Sequence, residues 1–304
     1  MKVLVTGGAG FIGYHTCVEL CKQGHEVIIL DDLSSSDRER VDDLVKRFPN
    51  KVMFLYTDVR NLYMYVEIEV DAVLHLAAKT SVEESIAQPM VTSDINIMGF
   101  ISVCEFARKN NVKRVIYASS AAVYGNTSYC SESGSCNPIS PYGQDKVTNE
   151  AFARHYTNLH GIEFVGLRYF NVYGPHQNEQ YAGVVSKFIS NIQNDESMTI
   201  FGDGGQHRNF IFVEDVAKIN VHGLNGGFNN YVVNIGSPEG QCTILDLADI
   251  IREISGKRTK IVFKPAREGD IYHSAPNLER LCQSYYPNYY SMEDLTSGLR
   301  KMLL

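Results

Sequence analysis

The sequence predicts an α/β protein with a doubly wound parallel sheet and a smaller α/β lobe. Over roughly the first 170 residues, short apolar runs alternate with amphipathic or polar segments of helical length. This alternation is typical of parallel strands joined by crossover helices that cover both faces of a sheet. After Pro175 the alternation becomes irregular. The later residues are therefore expected to build the smaller lobe.

Composition narrows the class of protein. The 304 residues are 44% hydrophobic and 21% charged, which is ordinary for a globular chain that buries a sizeable core. A net charge of −7 argues against nonspecific nucleic-acid binding. No apolar run approaches the ~20 residues of a membrane span, and no signal peptide precedes the first strand, so a cytoplasmic protein without a membrane partner is expected. Seven cysteines without a CxxC motif indicate reduced thiols, and the histidines show no metal-ligand spacing.

Residues 3–13 predict a strand, a tight glycine loop and the start of a helix. Glycines in such a loop let the chain turn sharply, let backbone N–H groups approach a pyrophosphate, and let the helix pack close to the strand. The helix N-terminus then directs its free amides and the positive end of its dipole at the phosphates. Two spacings fit, Gly8-x-Gly10-x-x-Gly13 and Gly7-x-x-Gly10-x-x-Gly13. The detailed loop geometry therefore stays open.

A second strand, residues 26–30, ends at Asp31, about 20 residues after the glycine loop. A carboxylate at that position can accept hydrogen bonds from both hydroxyls of an adenosine ribose, and it would repel a 2′-phosphate. The alternative is that Asp31 and Asp32 merely open a loop. Loop, spacing and strand together predict a Rossmann-like domain that binds NAD in preference to NADP.

Further strands are predicted at residues 52–56, 71–78, 112–118 and 163–169, and their carboxyl ends carry polar residues. Asp58 could bond an adenine amino group or cap a loop, and His75 is interpreted as a core residue. Helices are predicted after Thr92 and from Pro141 to about 159, with a surface loop over 129–141. Residues 211–224 and 231–234 are expected to return to the main sheet. The predicted domains are 1–171 with about 211–235 for NAD, and 172–210 with 236–304 for the smaller lobe.

Tyr142 and Lys146 are one helical turn apart, so their side chains share a face. A phenol has a pKa near ~10, and a neighbouring ammonium together with a positive nicotinamide would favour the phenolate. Ser120, at a strand end, could bond the same substrate hydroxyl. These three residues predict a base beside the dinucleotide.

Together these motifs resemble the extended short-chain dehydrogenase/reductases, and within them the UDP-glucose 4-epimerase group. The resemblance runs nearly end to end and rests on the glycine loop, Asp31, Tyr142-x-x-x-Lys146 and the segments 58–60, 75–78, 119–125 and 168–171. It implies a catalytic set of Ser120, Tyr142 and Lys146 acting on a UDP-sugar. The cofactor contacts that it implies are Gly7, Gly10, Phe11, Ile12, Gly13, Asp31, Asp32, Ser35, Asp58, Val59, Leu76, Ala77, Ala78, Asn96, Ser119, Tyr142, Lys146 and Tyr169.

For the sugar nucleotide, the resemblance implies a diphosphate clamp of Arg208 and Arg267, because guanidinium is permanently charged and bidentate. Asn171 is expected at the diphosphate, Val184 at a backbone contact, and Asp270 at the uridine ribose. Ser274 takes a position where bulky residues exclude an N-acetyl group, so a roomy sugar pocket is expected. The complete implied substrate set is Ser81, Ser120, Tyr142, Asn171, Val184, Thr199, Phe201, Arg208, Arg267, Asp270 and Ser274.

The resemblance leaves the reaction to be chosen among sister chemistries. Epimerisation is favoured over 4,6-dehydration and UDP-glucuronate decarboxylation, because those enzymes carry carboxylates where this chain has Ala121 and Ala122. A noncatalytic NAD-binding protein is the alternative from another class, although it would not need Ser120, Tyr142 and Lys146 together. A homodimer through helices around 92–108 and 144–159 is also implied. Asp32 and Lys79 depart from the residues common in the family.

Overall fold

The computed structural model describes residues 1–66, 68–177, 183–229, 231–266 and 271–303. Its largest feature is a seven-stranded sheet whose neighbouring strands are all parallel. The fourteen strands of the described residues are β1 (Lys2–Thr6), β2 (Glu26–Asp31), β3 (Val52–Tyr56), β4 (Ala72–His75), β5 (Arg114–Ser120), β6 (Tyr129–Cys130), β7 (Glu163–Tyr169), β8 (Asn171–Tyr173), β9 (Met198–Phe201), β10 (His207–Phe212), β11 (Val232–Ile235), β12 (Gln241–Thr243), β13 (Ile261–Lys264) and β14 (Ala275–Pro276). The large sheet has the order β11-β7-β5-β4-β1-β2-β3. It reverses direction of growth between β1 and β4, as expected for a doubly wound sheet.

Helices cover both faces of this sheet. The α-helices are α1 (Phe11–Lys22), α2 (Arg38–Arg47), α3 (Val82–Ala87), α4 (Pro89–Ser93), α5 (Gly99–Lys109), α6 (Pro141–His160), α7 (Val184–Gln193), α8 (Val213–Leu224), α9 (Ile244–Ser255), α10 (Glu279–Tyr285) and α11 (Leu295–Leu303). Alternate residues of β1 face opposite ways, as strand geometry requires. Val3 and Val5 lie in the core with α1 and α8, whereas Leu4 lies in the core with α5 and α6. The predicted parallel, doubly wound α/β architecture is confirmed.

The helix expected after Thr92 begins earlier, at Pro89, and is not regular throughout. A π-helical turn, Asp94–Met98, separates α4 from α5. Of the helices described, the continuous stretch Pro89–Lys109 is long and apolar enough to cross a membrane, contrary to the expectation that no such run exists. Half of its apolar window is buried inside the protein, and core helices of soluble proteins pass the same test. The stretch is therefore weak evidence for a span.

A second hydrophobic core lies beyond the large sheet, and we refer to its elements (β8, β10, β12, β9, β13, α7, α9 and α11) as the second lobe. A three-stranded sheet, β12-β10-β8, and a two-stranded parallel sheet, β13-β9, provide its strands. Phe188, Met198 and Leu247 are among its buried side chains. Strand β8 continues almost directly from β7, so the chain passes from one core to the other at Phe170.

Three boundaries differ from the sequence-based expectations. The expected return to the main sheet at residue 211 falls inside β10, which belongs to the second lobe, while α8 and β11 do return to the large sheet. Within the predicted loop 129–141, β6 pairs with β14 and buries Cys130. Residues of α10 and the following turn, Leu281, Tyr285 and Tyr289, pack in the core of the large sheet. Long-range pairing and packing, which local sequence does not specify, caused these differences.

Candidate active site

A cavity of about 320 Å³ opens at the carboxyl ends of the large sheet's strands. This edge is where ligands bind in open α/β sheets. The predicted cofactor residues that line it are Gly7, Gly10, Phe11, Ile12, Gly13, Asp31, Asp32, Ser35, Asp58, Val59, Leu76, Ala77, Ala78, Ser119, Tyr142, Lys146 and Tyr169. Ser120 lines it as well. The structure thus brings together nearly all of the residues expected around a dinucleotide.

The glycine loop resolves which of the two spacings matters. Gly7 has φ +68°, and a Cβ there would lie 2.7 Å from the backbone nitrogen of Ala77 at the end of β4. A Cβ on Gly13 would lie 2.1 Å from the carbonyl oxygen of Gly7. Gly8 has an ordinary φ and does not line the cavity. The functional spacing is therefore Gly7-x-x-Gly10-x-x-Gly13.

Helix α1 begins directly after this loop, with Gly10 as its N-cap residue. Glycine has no side chain that could satisfy the first amides of the helix, so these donors and the positive dipole end remain suited to a phosphate. The loop residues and the first residues of α1 face the same cavity. The site therefore fits the pyrophosphate of a dinucleotide.

Asp31, the last residue of β2, lines the cavity. Its carboxylate accepts hydrogen bonds from the amides of Ala9 (3.0 Å) and Leu33 (2.9 Å) and from the Ser36 hydroxyl (2.9 Å). Burial raises the pKa of Asp31, and these hydrogen bonds oppose the rise. The second aspartate, Asp32, accepts from the amide and hydroxyl of Ser34. The local turn therefore fixes both carboxylates at the cavity edge.

Asp58 takes the capping role, one of the two that the sequence left open, and its bond to adenine stays a prediction. It lines the cavity, and its carboxylate also accepts from the Arg60 amide at 2.8 Å, capping a 3₁₀ turn, Val59–Met64. The Arg60 guanidinium hydrogen-bonds the same carboxylate and lowers its pKa. Asp58 is therefore ionised and held in place at the rim.

Ser120, Tyr142 and Lys146 meet at the inner wall of the cavity. Ser120 ends β5, Tyr142 lies in the first turn of α6, and Lys146 follows one turn later. A hydrogen bond joins the side chains of Ser120 and Tyr142. The Lys146 Nζ donates to the Ala118 carbonyl at 2.9 Å and lies 5.6 Å from the centre of the Tyr142 ring. The helix begins at this point because the Ser140 side chain caps it and Pro141 takes its first position.

The electrostatics of this trio differ from the expectation. Burial raises the pKa of Tyr142; the Ser120 hydrogen bond lowers it, and the charge of Asp145 raises it. Burial also lowers the pKa of Lys146 to about 8, although Asp145 and Glu150 oppose this. The protein groups alone therefore shift the pKa of Tyr142 upward, and the phenolate favoured by Lys146 together with a positive nicotinamide stays a prediction. His75 is a core residue as predicted, bonded to Thr6 and with a pKa lowered by burial to about 3.

Two predicted contact residues, Asn96 and Ser81, do not line the cavity. Asn96 is almost fully buried and does not line the cavity. Its side-chain oxygen accepts from the Lys79 amide, and its side-chain nitrogen donates to the Lys79 carbonyl and to the Asp145 carboxylate. The Ser81 hydroxyl accepts from the Glu84 amide as the N-cap of α3, one residue beyond the cavity wall at Thr80. Both side chains hold backbone in place rather than facing the cofactor space.

The predicted sugar-nucleotide residues of the second lobe do not line this cavity. Asn171 donates to the Asn209 carbonyl at 3.0 Å, and Arg208 donates to the His207 carbonyl at 2.9 Å. Ser274 hydrogen-bonds the buried thiol of Cys130. Val184 begins α7, and Thr199 and Phe201 lie in β9. Arg267 and Asp270 lie outside the described residues.

Several lining residues were missed by the sequence analysis. Arg40 is the one with the clearest contacts: its guanidinium donates to the carbonyls of Ala9 (3.2 Å) and His176 (2.8 Å), joining the glycine loop to the segment after β8. No sequence signal marks Arg40, because its partners are backbone atoms distant in sequence. The other missed residues are Leu30, Ser34, Ser36, Thr57, Lys79, Thr80, Ile95, Ala118, Phe170, Val172 and Gln177. Most of them directly neighbour a predicted residue.

This cavity defines the class of protein: an enzyme with a dinucleotide site across the strand ends of a Rossmann-like sheet. The model of the NAD-dependent epimerase/dehydratase family matches residues 3–236. The chain belongs to that family, and its cofactor is NAD.

Similar proteins of known name agree. A putative UDP-glucose 4-epimerase from Methanocaldococcus jannaschii is 39% identical over 277 residues, covering 89% of this chain and 88% of that protein. The structure of a UDP-N-acetylglucosamine 4-epimerase from Methanobrevibacter ruminantium, in complex with UDP-N-acetylmuramic acid, is 34% identical with a TM-score of 0.91 and covers 99% of this chain and 96% of that one. A Thermus thermophilus UDP-glucose 4-epimerase in complex with NAD is 30% identical with a TM-score of 0.88, covering 100% and 98%.

Proposed function

We propose that this protein is an NAD-dependent UDP-hexose 4-epimerase. The observation that carries the proposal is that Ser120, Tyr142 and Lys146 line the same cavity as Gly7, Gly10 and Asp31. A base, its hydrogen-bond partner and the dinucleotide site therefore share one wall. The relatives named as UDP-sugar 4-epimerases support the reaction class.

Tyr142 is proposed to remove the proton from the sugar 4-hydroxyl, since its own hydroxyl lies in the cavity wall beside Ser120. NAD, when bound, supplies a reversible acceptor for the hydride of the same carbon. Ser120 holds the reacting oxygen while the sugar is a 4-ketone. The ketone then turns about its link to the diphosphate, and Tyr142 returns the proton once the opposite face is reduced. No net oxidation results, so NAD would be regenerated in every cycle and no second redox substrate is needed.

The residues after β5 favour epimerisation over elimination. Ala121 and Ala122 form a 3₁₀ turn directly after Ser120. Both positions lack the acid and base that removal of water from C5 and C6 needs, or the carboxylate that accompanies decarboxylation. No group at these two positions can therefore assist elimination or decarboxylation of the ketone, and its reduction back to the hydroxyl is the expected outcome.

We assign binding of the diphosphate to residues of the second lobe. We propose that Arg208, at the start of β10, and Arg267 clamp the diphosphate, with Asp270 at the uridine ribose. Asn171 pairs opposite Phe210, two residues after Arg208, because β8 and β10 are parallel neighbours. This pairing supports a common location for Asn171 and Arg208 at the edge of the second lobe. Val184, Thr199 and Phe201 complete the proposed nucleotide contacts.

The proposed sugar scope includes N-acetylhexosamines as well as glucose and galactose. Ser274 is small, half-buried and bonded to Cys130, next to the β6–β14 pair. A small side chain there leaves room for an N-acetyl group. The similar protein named as a UDP-N-acetylglucosamine 4-epimerase supports the wider scope.

We also propose a homodimer in the cytoplasm. Helix α6 packs beside α3, α4 and α5, and these helices leave large apolar side chains exposed, including Ile86, Met90 (86% exposed) and Met98. Large apolar side chains exposed on neighbouring helices are typical of an interface between subunits. The oligomeric state in solution tests this point directly.

The test of function is to incubate the purified protein, without added cofactor, with UDP-glucose, UDP-galactose, UDP-GlcNAc and UDP-GalNAc, and to resolve the epimers. Interconversion of both pairs is expected. Ser274→Tyr should lower turnover of the N-acetylated pair at least tenfold, as a lost steric fit of a few kcal/mol implies, with UDP-glucose turnover retained. Ser291→Tyr, at an exposed position, is the matched control. Unchanged N-acetylated turnover in Ser274→Tyr would refute the proposed scope.

A further inference from the structure

A buried carboxylate lies behind the catalytic trio and takes no direct part in the proposed chemistry. Asp145 precedes Lys146 in α6, is only 2% exposed and does not line the cavity. Its Oδ1 accepts from the Ser93 hydroxyl at 2.7 Å, and its Oδ2 accepts from the Asn96 side-chain amide at 3.0 Å. These donors fix Asp145 between the catalytic helix and the π-helical turn Asp94–Met98.

Both donors are neutral, which separates Asp145 from the other buried acid of α6. Glu150 forms an ion pair with Arg168 at 2.7 Å and also accepts from the Ser119 hydroxyl. Within the described part of the chain, Asp145 has no cationic partner within 4.0 Å. An unpaired buried charge acts strongly on its neighbours, because little solvent screens it. Asp145 therefore acts on the groups that surround Lys146.

The surroundings of Lys146 contain few other charges. Its ammonium is 1% exposed and donates to the Ala118 carbonyl of β5. On α6 itself Tyr142, Asp145 and Glu150 face it, and β4 contributes His75, a core residue that remains neutral because its pKa lies far below 7.

The remaining charged groups nearby are compensated. Arg168 of β7 balances Glu150. Lys79, whose backbone is held by Asn96, has its ammonium 3.8 Å from Glu84. Asp145 is thus the uncompensated charge beside the Tyr142–Lys146 pair.

We propose that Asp145 is a positioning residue for the reaction: it serves as the buried counter-charge that keeps Lys146 an ammonium, and it sets the pH range in which Tyr142 and Lys146 work. This inference rests on the proposed function for its kinetic consequence. The geometry also ties the charge to the π-helical turn, because the hydrogen bond from Asn96 links the turn that carries Ile95 in the cavity wall to the catalytic helix.

The sign of the effect follows from the two neighbours. The Asp145 charge raises the pKa of Lys146, against burial, and it raises the pKa of Tyr142. Removing it makes the phenolate form at lower pH and makes the ammonium deprotonate at lower pH. The acid limb of turnover belongs to Tyr142 and the alkaline limb to Lys146. Both limbs should therefore move in the same direction, towards acid.

The test is the pH profile of kcat at saturating UDP-glucose for the parent protein, Asp145→Asn and Ser93→Ala. Asparagine keeps the size of the side chain and can still accept from Asn96 while donating to the Ser93 oxygen, so it removes mainly the charge. Ser93→Ala removes one hydrogen bond and keeps the charge. Both limbs should shift by about one pH unit or more towards acid in Asp145→Asn and stay in place in Ser93→Ala.

Equal profiles for Asp145→Asn and the parent, or equal shifts in both variants, would overturn the inference. A second readout does not need turnover: a near-ultraviolet difference titration of the protein against its Tyr142→Phe variant, with and without the Asp145→Asn change. Ionisation of Tyr142 should begin at lower pH once the charge is gone, and an unmoved titration contradicts the inference. Asp145→Ser serves as the uncharged variant if Asp145→Asn does not fold. Absence of turnover in the parent protein would refute the proposed function alone.

Discussion

The large sheet and the second lobe build their shares of the site in different ways. In the large sheet, most predicted cofactor residues lie at or just after the ends of parallel strands, so the strand ends bring Gly7, Asp31, Asp58 and Ser120 to one edge. In the second lobe, the predicted nucleotide residues that the structure describes lie on short strands of two small sheets and at the start of helix α7. The cofactor half is consequently enclosed as one cavity, whereas the sugar-nucleotide half lies outside it. Cofactor retention and substrate capture should therefore be separable by mutation.

The largest effect is expected at the residue where the two halves meet. Tyr142→Phe should reduce kcat about a thousandfold, since it removes the proposed acid–base group, while bound NAD and the fold are retained. Epimerisation rate and cofactor content of the purified protein are the measurements. Tyr156→Phe is the control on the same helix, because the Tyr156 hydroxyl bonds Glu105 away from the cavity. Near-normal turnover in Tyr142→Phe would remove the tyrosine from the mechanism.

The next largest effect is expected on NAD binding, in the cofactor half of the site. Gly13→Ala would place a methyl group 2.1 Å from the Gly7 carbonyl oxygen and force the loop and α1 apart. Overpacking of this kind costs about 1 to 3 kcal/mol, so NAD should be held roughly 10- to 100-fold less tightly. The NAD content after gel filtration and the stimulation of activity by added NAD measure this. The control is Gly183→Ala, whose added methyl group would meet no atom of the described residues closer than 4.0 Å. Full NAD retention in Gly13→Ala would contradict the loop geometry.

The second lobe should show the opposite signature. Arg208→Ala is expected to raise KM for the UDP-sugar roughly tenfold, the value of one charge-assisted hydrogen bond, without loss of bound NAD. Steady-state kinetics and cofactor content distinguish the two. Arg252→Ala removes an arginine from the exposed Asp249 ion pair in α9 and serves as the control. Loss of NAD in Arg208→Ala would erase the separation between the halves.

The smallest effect concerns stability of the large sheet in acid. His75 has a folded-state pKa of about 3 against an ordinary value of 6.5, because burial excludes its charged form. Its unfolded form takes up a proton as pH falls below 6.5, so stability is lost across the window from 6.5 towards 3. At pH 5 the loss should be about 2 kcal/mol relative to pH 7. Denaturant unfolding of the parent and of His75→Gln measures it. An equal pH dependence in the two proteins would show that His75 does not contribute.

The contrast between the halves also explains how far the sequence could predict the site. Gly7, Asp31 and Ser120 could be found because a strand end and a short motif locate each of them. Arg40 could not, since it contacts backbone carbonyls of Ala9 and His176 that only folding brings near. Asn96 was misplaced for the same reason: its buried bonds to Lys79 and Asp145 are visible only in three dimensions.

The fold shows the same division. The strands of the large sheet were predicted from the sequence, because each is a short run rich in apolar residues and most of these runs are buried. The β6–β14 pair joins two residues from a polar segment to two residues about 145 positions later. Helix α10 packs in the core of the large sheet, although it follows the second-lobe elements α9 and β13 in the chain. Pairings of this length carry no local pattern, so sequence reasoning placed both in the wrong region.

In the proposed mechanism, one retained NAD and Tyr142 invert the configuration of the sugar at C4 within a single site. The most direct measurement uses UDP-glucose deuterated at C4 with the protein as purified and no NAD added. UDP-galactose should form and keep the deuterium at C4, because the labelled hydride leaves and returns to C4 without exchanging with solvent. Product that has lost the label to water, or turnover that requires free NAD in step with substrate, would contradict it.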